Sequence, residues 1–446
     1  MDVVFLARLQ FYITIGFHFI FVPINIGLSW IIVWYMIKYR RTKDPVYKTF
    51  SRFWIKIFAI TFGIGVPTGF IMAFQFGTNW SAFSRIAGEI FGSMLVIEAI
   101  YAFFFEAVFL AVLLQGWNNE KVSERMLLVS AIIVAISVTV SAFFIVAANS
   151  WMHTPAGFQV VNGKYEISSF IKALFNPSTI LRFLHTLTAC FIITAFFVIG
   201  ISAGYLLKAK HVQLFTISLK IGLIIALIAT LSQGIIGHFS SLQVADTQPA
   251  KFAAQEGIFI TQNGASLTLF GLINENGEIF KIAIPRLLSF LTYLDPNATV
   301  TGLDAFPVAD RPPVILTYYS FHFMVYLGVL FALFSLLGIF FLWERNILEQ
   351  KRYLKIARLA IPLPIIATQL GWITTEVGRQ PWIIYGVLRT IDASSPIIDA
   401  GEVIFSLTLF SLLYIGLFVI WIITLKRILK KGPDSVKVGY GDEVVE

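Results

Sequence analysis

Charge is scarce in this sequence. Only 13% of its 446 residues are Asp, Glu, Lys or Arg, while 57% are hydrophobic and 15% aromatic. Soluble chains carry about 25% charged residues, so a water-soluble globule is excluded. Cysteine is nearly absent as well: Cys190 is the only one, and it lies inside an apolar run. That excludes a disulfide framework and a thiolate metal cluster. No C-x-x-C-H occurs, which excludes covalently attached c-type haem in this chain. Internal repeats are also missing. What remains is the composition of an all-α polytopic membrane protein, with apolar stretches reaching the roughly 20 residues that cross a bilayer.

About nine spans are expected, near Phe11–Ile37, Phe53–Phe76, Phe91–Leu114, Met126–Ala148, Ile180–Leu207, Thr216–Ile236, Ile315–Trp343, Ala357–Thr375 and Val403–Leu425. The first run has only Arg8 before it and is long enough to stay as a span instead of leaving as a cleaved signal. One long hydrophilic connection separates the sixth span from the seventh. The chain therefore divides into residues 1–237 with six helices, a loop at 238–314, and residues 315–446 with three helices and a tail.

Basic residues set the orientation. Counted by alternate loops, Lys and Arg fall roughly two to one on the side holding Lys38 to Lys56, Lys208 to Lys220, Arg345 to Arg358 and the tail with Lys437. That side is expected to be cytoplasmic, leaving the amino terminus and the long loop outside a plasma membrane. The net charge of +8 thus reflects topology and not a nucleic-acid partner.

Polar residues within the spans are the informative ones, because an intramembrane ionisable group is costly and reads as functional. His18 lies in the first span, Glu98 and Glu106 in the third, His185 in the fifth, and His322 with Met324 in the seventh. Glu376 closes the eighth, just before Gly378-Arg379-Gln380-Pro381-Trp382. An interfacial anchor accounts for Arg379 and Trp382 but not for Glu376. Apart from the deeper Glu106, these positions are expected to share one layer in the outer half of the membrane. His153, His211 and His238 fall at span edges or in loops, where solvated surface histidines are expected.

Histidine, methionine and carboxylate without cysteine clusters are ligand types of haem iron, a His/Met pair giving a six-coordinate centre. Each signal alone is weak: a His in a span is as often an interhelical hydrogen-bonding group, and a Met is usually packing. A transporter using Glu and His as a proton relay fits the same residue types.

The motifs around these residues resemble subunit I of the cytochrome bd family of quinol oxidases over nearly the whole chain. They include His18-Phe19-Ile20-Phe21-Val22-Pro23, Phe74-Gln75-Phe76-Gly77-Thr78-Asn79-Trp80, Ile97-Glu98 and Phe103-Phe104-Phe105-Glu106. Further along come Ala148-Asn149-Ser150-Trp151-Met152, Arg182-Phe183-Leu184-His185 and Gln248-Pro249-Ala250-Lys251 through Glu256. Ser320-Phe321-His322-Phe323-Met324 and Gly371-Trp372 through Glu376 to Trp382 complete the series.

The resemblance implies a haem-binding bundle and a role for each matching position. His185 and Met324 match the axial ligands of a low-spin haem b. His18 and Glu376 match those of two high-spin haems, one a haem b and the other a haem d or a further b-type haem. Glu98 matches a carboxylate beside the oxygen-reducing haem, and Glu106 one on the proton route with Ser141 and Asn149 as neighbours. Lys251 and Glu256 match a pair in the external loop associated with quinol oxidation. Trp372, Arg379 and Gln380 would lie against the haems, with Arg379 facing a propionate.

Quinol, oxygen, the lipid bilayer and a second membrane subunit (subunit II) are the implied partners, with room for a small accessory subunit. Where the family often carries Arg this chain has His322, and the charge of a histidine there would depend on pH. The implied activity is oxidation of quinol at the outer face and reduction of oxygen to water with cytoplasmic protons. A membrane b-type cytochrome that passes quinol electrons to another acceptor would need only His185, Met324 and the loop.

Overall fold

The computed structural model describes residues 2–433 apart from Glu120 and Asn276; the tail with Lys437 lies outside the described residues. Long apolar segments become long helices, since a chain in lipid satisfies its backbone polar groups only internally. These are α1 (Val3–Thr42), α2 (Pro45–Thr78), α3 (Ser81–Gln115), α4 (Glu124–His153), α5 (Thr179–Leu206) and α6 (Val212–Thr247). After a short α7 (Pro249–Glu256) come α8 (Val314–Trp343), α9 (Lys351–Leu359), α10 (Pro362–Val377) and α11 (Ala400–Lys431).

Eight of these helices are long and apolar enough to cross a membrane, or nine if α9 and α10 form one span bent by 41°. The bend falls where Pro362 and Pro364 open α10, because proline lacks the amide hydrogen a continuing helix needs and clashes with the preceding turn.

The connections alternate between two ends. One end carries the basic residues of the α1–α2 link, of α9 and of the end of α11; we term it the basic end. The other, the loop end, carries α7 and four two-stranded sheets. Their strands are β1 (Phe158–Val161) with β2 (Lys164–Ile167), and β3 (Gln262–Asn263) with β6 (Thr299–Val300). The others are β4 (Leu267–Asn274) with β5 (Gly277–Ile284), and β7 (Trp382–Ile384) with β8 (Leu388–Arg389).

α1 and α5 are the inner helices; α3, α8 and α11 turn most of their surface outward. Close approaches rest on small residues, as expected where lipid offers no hydrophobic drive between helices. Gly27 on α1 faces Thr194 on α5 so tightly that a Cβ would sit 2.4 Å from the Thr194 hydroxyl oxygen. That hydroxyl donates to the Pro23 carbonyl at 2.9 Å, tying the two helices at the same crossing. α5, α6, α8 and α10 form a ring of four. Across it, Phe196 on α5 meets Phe331 and Phe334 on α8 at 4.9 and 5.5 Å.

Several helices run further than hydropathy indicates. α3 begins at Ser81 and not near Phe91, so Glu98 lies well inside it. α6 continues to Thr247, carrying His238 within the helix and moving the start of the long connection about ten residues on. Its last turns are polar, and hydropathy alone ends the span too soon.

Candidate functional site

Each candidate ligand is steadied by a second helix. The His18 Nδ1 lies 2.8 Å from the Thr68 hydroxyl of α2, and that hydroxyl donates to the Gly65 carbonyl at 2.7 Å. Glycine at position 69 gives the ring room, since a Cβ there would lie 3.3 Å from His18 Cε1. The Gln233 side chain of α6 reaches His185 Nε2 at 2.9 Å, while His185 Nδ1 is buried without a partner. The Met324 sulfur faces Gly371 of α10, where a Cβ would come within 2.8 Å of it.

The expected single layer is not what the helices build. Gly371, against Met324, lies about 8 Å down α10 from Glu376 at 1.5 Å per residue. Gln369 donates to the Gly16 carbonyl at 2.9 Å, which sets Gly16 about 10 Å and His18 about 13 Å below Glu376. The candidates descend in steps toward the basic end. Equal distances from sequence-predicted span ends do not mean equal depth, because the helices overshoot those ends by different amounts.

At the loop end a buried charge network surrounds Glu376. Asn149 of α4 donates to Glu376 Oε1 at 3.0 Å, Arg379 pairs with Oε2, and His153 Nε2 lies 3.4 Å from Oε1. Arg182 of α5 donates to Asn149 Oδ1 and, at 3.1 Å, to the Ser150 hydroxyl. Lys251 of α7 donates to the Thr375 carbonyl at 3.1 Å. Three cationic side chains thus converge around a single carboxylate, and Nε and Nη1 of Arg379 are buried with no acceptor. Glu376 keeps 21% of its side-chain surface open despite its bonds. Arg379 turns to Glu376, and Asn149 to Glu376 and Arg182 instead of to Glu106.

His153 overturns its expectation. It is 1% exposed, held between Glu376 and Gln248. The Gln248 amide nitrogen donates to the His153 carbonyl at 2.9 Å and lies 3.3 Å from its Nδ1. A carbonyl can only accept, so the amide nitrogen is fixed there, Nδ1 accepts, and Nε2 donates to Glu376. Its place at a span edge suggested solvent; α4 instead ends inside the cap formed by α7 and the loops. His211 and His238 are exposed. Arg182, three residues before His185, also belongs to the site. As a guanidinium just inside an apolar helix it was detectable from sequence.

The third span holds the two carboxylates apart from this network. Ser141 of α4 donates to Glu98 Oε1 at 2.9 Å, and Glu106 is buried. Between them the helix widens into a π-helical turn over Tyr101–Glu106. Eight residues make about 2.2 turns of an α-helix. A wider turn brings the step closer to two whole turns, so Glu106 moves toward the face of Glu98. Such turns recur at functional sites.

Lys251 and Glu256 both lie on α7, 2% and 5% exposed, but they do not pair. Five residues apart on a helix, they face different sides. Lys251 turns to α10, and Glu256 to the region of Tyr318, which packs against Gly257. Burial holds the Lys251 ammonium well below the ordinary lysine value, and Arg182 adds to this. Burial pushes the Glu256 carboxyl up to about 7. Gln380 donates to the Glu376 carbonyl at 3.3 Å and accepts from Thr390 at 2.8 Å. Trp372 is partly buried on α10. His322 is buried, its Nδ1 3.0 Å from the Tyr318 carbonyl. Among the described residues, no three His, Cys, Asp or Glu side chains gather to hold a bare metal ion.

Comparison with known proteins places this architecture. The family model described as cytochrome bd terminal oxidase subunit I matches residues 6–433. Cytochrome bd ubiquinol oxidase subunit 1 of Bacillus subtilis is 35% identical, over 97% of this chain and 95% of that protein. Cytochrome bd-II ubiquinol oxidase subunit 1 of Escherichia coli is 30% identical, over 98% of each. The solved bd oxidase of Geobacillus thermodenitrificans superposes with a TM-score of 0.89 at 32% identity, covering 97% of this chain and 99% of that one. The chain belongs to the family of cytochrome bd terminal oxidase subunit I, haem-dependent quinol:oxygen oxidoreductases of the membrane.

Proposed function

We propose that this chain is the haem-bearing subunit of its oxidase, oxidising quinol at the loop end and reducing oxygen with protons drawn from the basic end. On the loop counts, the loop end faces outside and the basic end the cytoplasm. The residues fit haem. His185 and Met324 stand on diagonal helices of the four-helix ring, one with an orphaned buried ring nitrogen and the other in a cradle that a Cβ would fill. Arg182, Arg379 and Lys251 exceed the single carboxylate they surround, an excess that suits acidic propionates.

In this reading His185 and Met324 hold a low-spin haem b. His18 and Glu376 divide between a high-spin haem b and a haem d or further haem b. The haems supply the electron path and the oxygen-binding position. Glu256 accepts a proton from quinol at the loop end, and Lys251 fixes α7 against the end of α10. Glu98 and Glu106 hold protons on the way from the basic end, spaced by the π-helical turn. Subunit II is expected on the outward apolar surface, with space for a small accessory subunit.

The observation that carries this reading is the bridge from α7 to the carboxylate of α10, through Lys251 to Thr375 and through Gln248 and His153 to Glu376. Reduced-minus-oxidised spectra of the purified complex, with and without carbon monoxide, test it. His185→Ala or Met324→Leu should remove a low-spin b signal, and His18→Ala or Glu376→Ala a separate carbon monoxide response. A far-red band would mark haem d, and its absence a further b-type haem. A carbon monoxide response that survives both His18→Ala and Glu376→Ala would overturn their assignment as ligands.

A further inference from the structure

The sheet of β4 and β5 presents two unlike faces. On one, Gly271 lies against Tyr318, where a Cβ would come within 2.2 Å of the hydroxyl oxygen, and Ile273 is buried. The other face carries the cross-strand pairs Phe270 with Ile282 and Leu272 with Phe280. These four side chains are 43–55% exposed. So large an apolar face on two strands needs a cover.

Its position along α8 identifies the cover. Tyr319 exchanges hydrogen bonds with the amide and carbonyl of Ile273, both at 3.1 Å. Tyr326, about 10 Å further along the helix, donates to the Leu269 carbonyl at 2.8 Å. β4 therefore runs beside the outward surface of a membrane span. Its base points down the helix and the polar turn at Asn274-Glu275 points away. α8 has 30 residues, about 45 Å, some 15 Å more than the hydrocarbon core. Shared between both ends, that excess puts Tyr319 at the edge of the hydrocarbon and Tyr326 about 10 Å inside it, within the depth that interfacial elements reach.

The polar groups agree with this depth. Tyrosine hydroxyls take edge groups of β4 that lipid would leave unsatisfied. Lys281, midway along β5, reaches 2.7 Å to Glu278 on the turn side, as a lysine does when its head is drawn toward water. Phe323, Val329 and Leu330 are exposed on α8 itself, so the apolar surface of the span continues at this level.

We propose that the β4–β5 hairpin is an interfacial membrane element, whose Phe270, Leu272, Phe280 and Ile282 face enters the acyl–headgroup boundary of the loop-end leaflet. The inference rests on the fold alone and is independent of haem ligation. It seats the long connection on the bilayer, at the depth where a lipid-dissolved substrate travels.

Spin labels test it in the full oxidase complex, embedded in nanodiscs of phosphatidylethanolamine and phosphatidylglycerol. Single cysteines F280C and I282C are compared with E275C at the turn; unlabelled-background samples check that buried Cys190 stays silent. Labels at 280 and 282 should collide with oxygen, which concentrates in lipid, in preference to a water-soluble nickel chelate. The label at 275 should show the reverse preference. Chelate preference at 280 and 282 would overturn the proposal in favour of a hairpin standing in water. Exclusion of both reagents would overturn it in favour of a covering protein partner. L272C, on the paired strand, gives the same reading if a β5 variant fails to assemble, and retained quinol oxidation checks each variant's fold.

Discussion

Glu256 is a carboxyl whose burial, with no hydrogen-bonding cation beside it among the described residues, favours the neutral form. Its carboxyl titrates around 7, so above that pH it is ionised and able to take a proton, and below it is already occupied. Quinol oxidation should rise with pH through this range, and Glu256→Gln should flatten the rise and slow the reaction by about 10²–10⁴-fold; a stopped-flow pH profile reads both. Gly371→Ala would push a methyl to within 2.8 Å of the Met324 sulfur. It should shift or abolish the proposed low-spin signal while leaving the carbon monoxide response, which optical spectra separate. Glu376, His18 and His185 stood out in the sequence because polar groups in apolar helices are conspicuous, whereas Met324 was singled out only by the resemblance. His153 did not, since a histidine at a span edge looks solvated when the lid above it is supplied by residues about a hundred positions away.

Helices were legible as apolar runs, but their ends were not. Hydropathy falls before the helix does, so the ends of α3 and α6 were misplaced and a common layer was inferred for residues that descend stepwise. The bend between α9 and α10 follows from Pro362 and Pro364, which the sequence displays. The β4–β5 hairpin was also written there, as two strand-length runs of mainly apolar residues either side of the Asn-Gly turn signal at 276–277, inside a segment read only as a hydrophilic connection. At the α1–α5 crossing, Gly27→Ala places a methyl against Thr194. Overpacking of this kind costs about 1–3 kcal/mol, so a lowered thermal midpoint is expected in detergent, measured against Gly63→Ala, where no neighbour stands within 4 Å.

At the scale of the molecule, the family assignment replaces the transporter reading, and the single break between α9 and α10 has no paired counterpart among the described helices. Sidedness is testable directly. An epitope at the carboxy terminus should resist protease added to intact cells and become cleavable once the membrane is opened; digestion in intact cells would reverse the topology. The stepwise ligand set also constrains how such a protein is made. His18 and Glu376 come from opposite ends of the chain, and each candidate ligand leans on a neighbour from another helix: Thr68, Gln233, Gly371 or Asn149. His18 and Thr68 both lie within the first 78 residues, whereas Met324, Gly371 and Glu376 arrive only with α8 and α10. With Glu376 as a ligand, insertion would have to pass α10 before the last pocket could close, cofactor capture would finish late in biogenesis, and a chain truncated before α10 would be unable to hold its full complement.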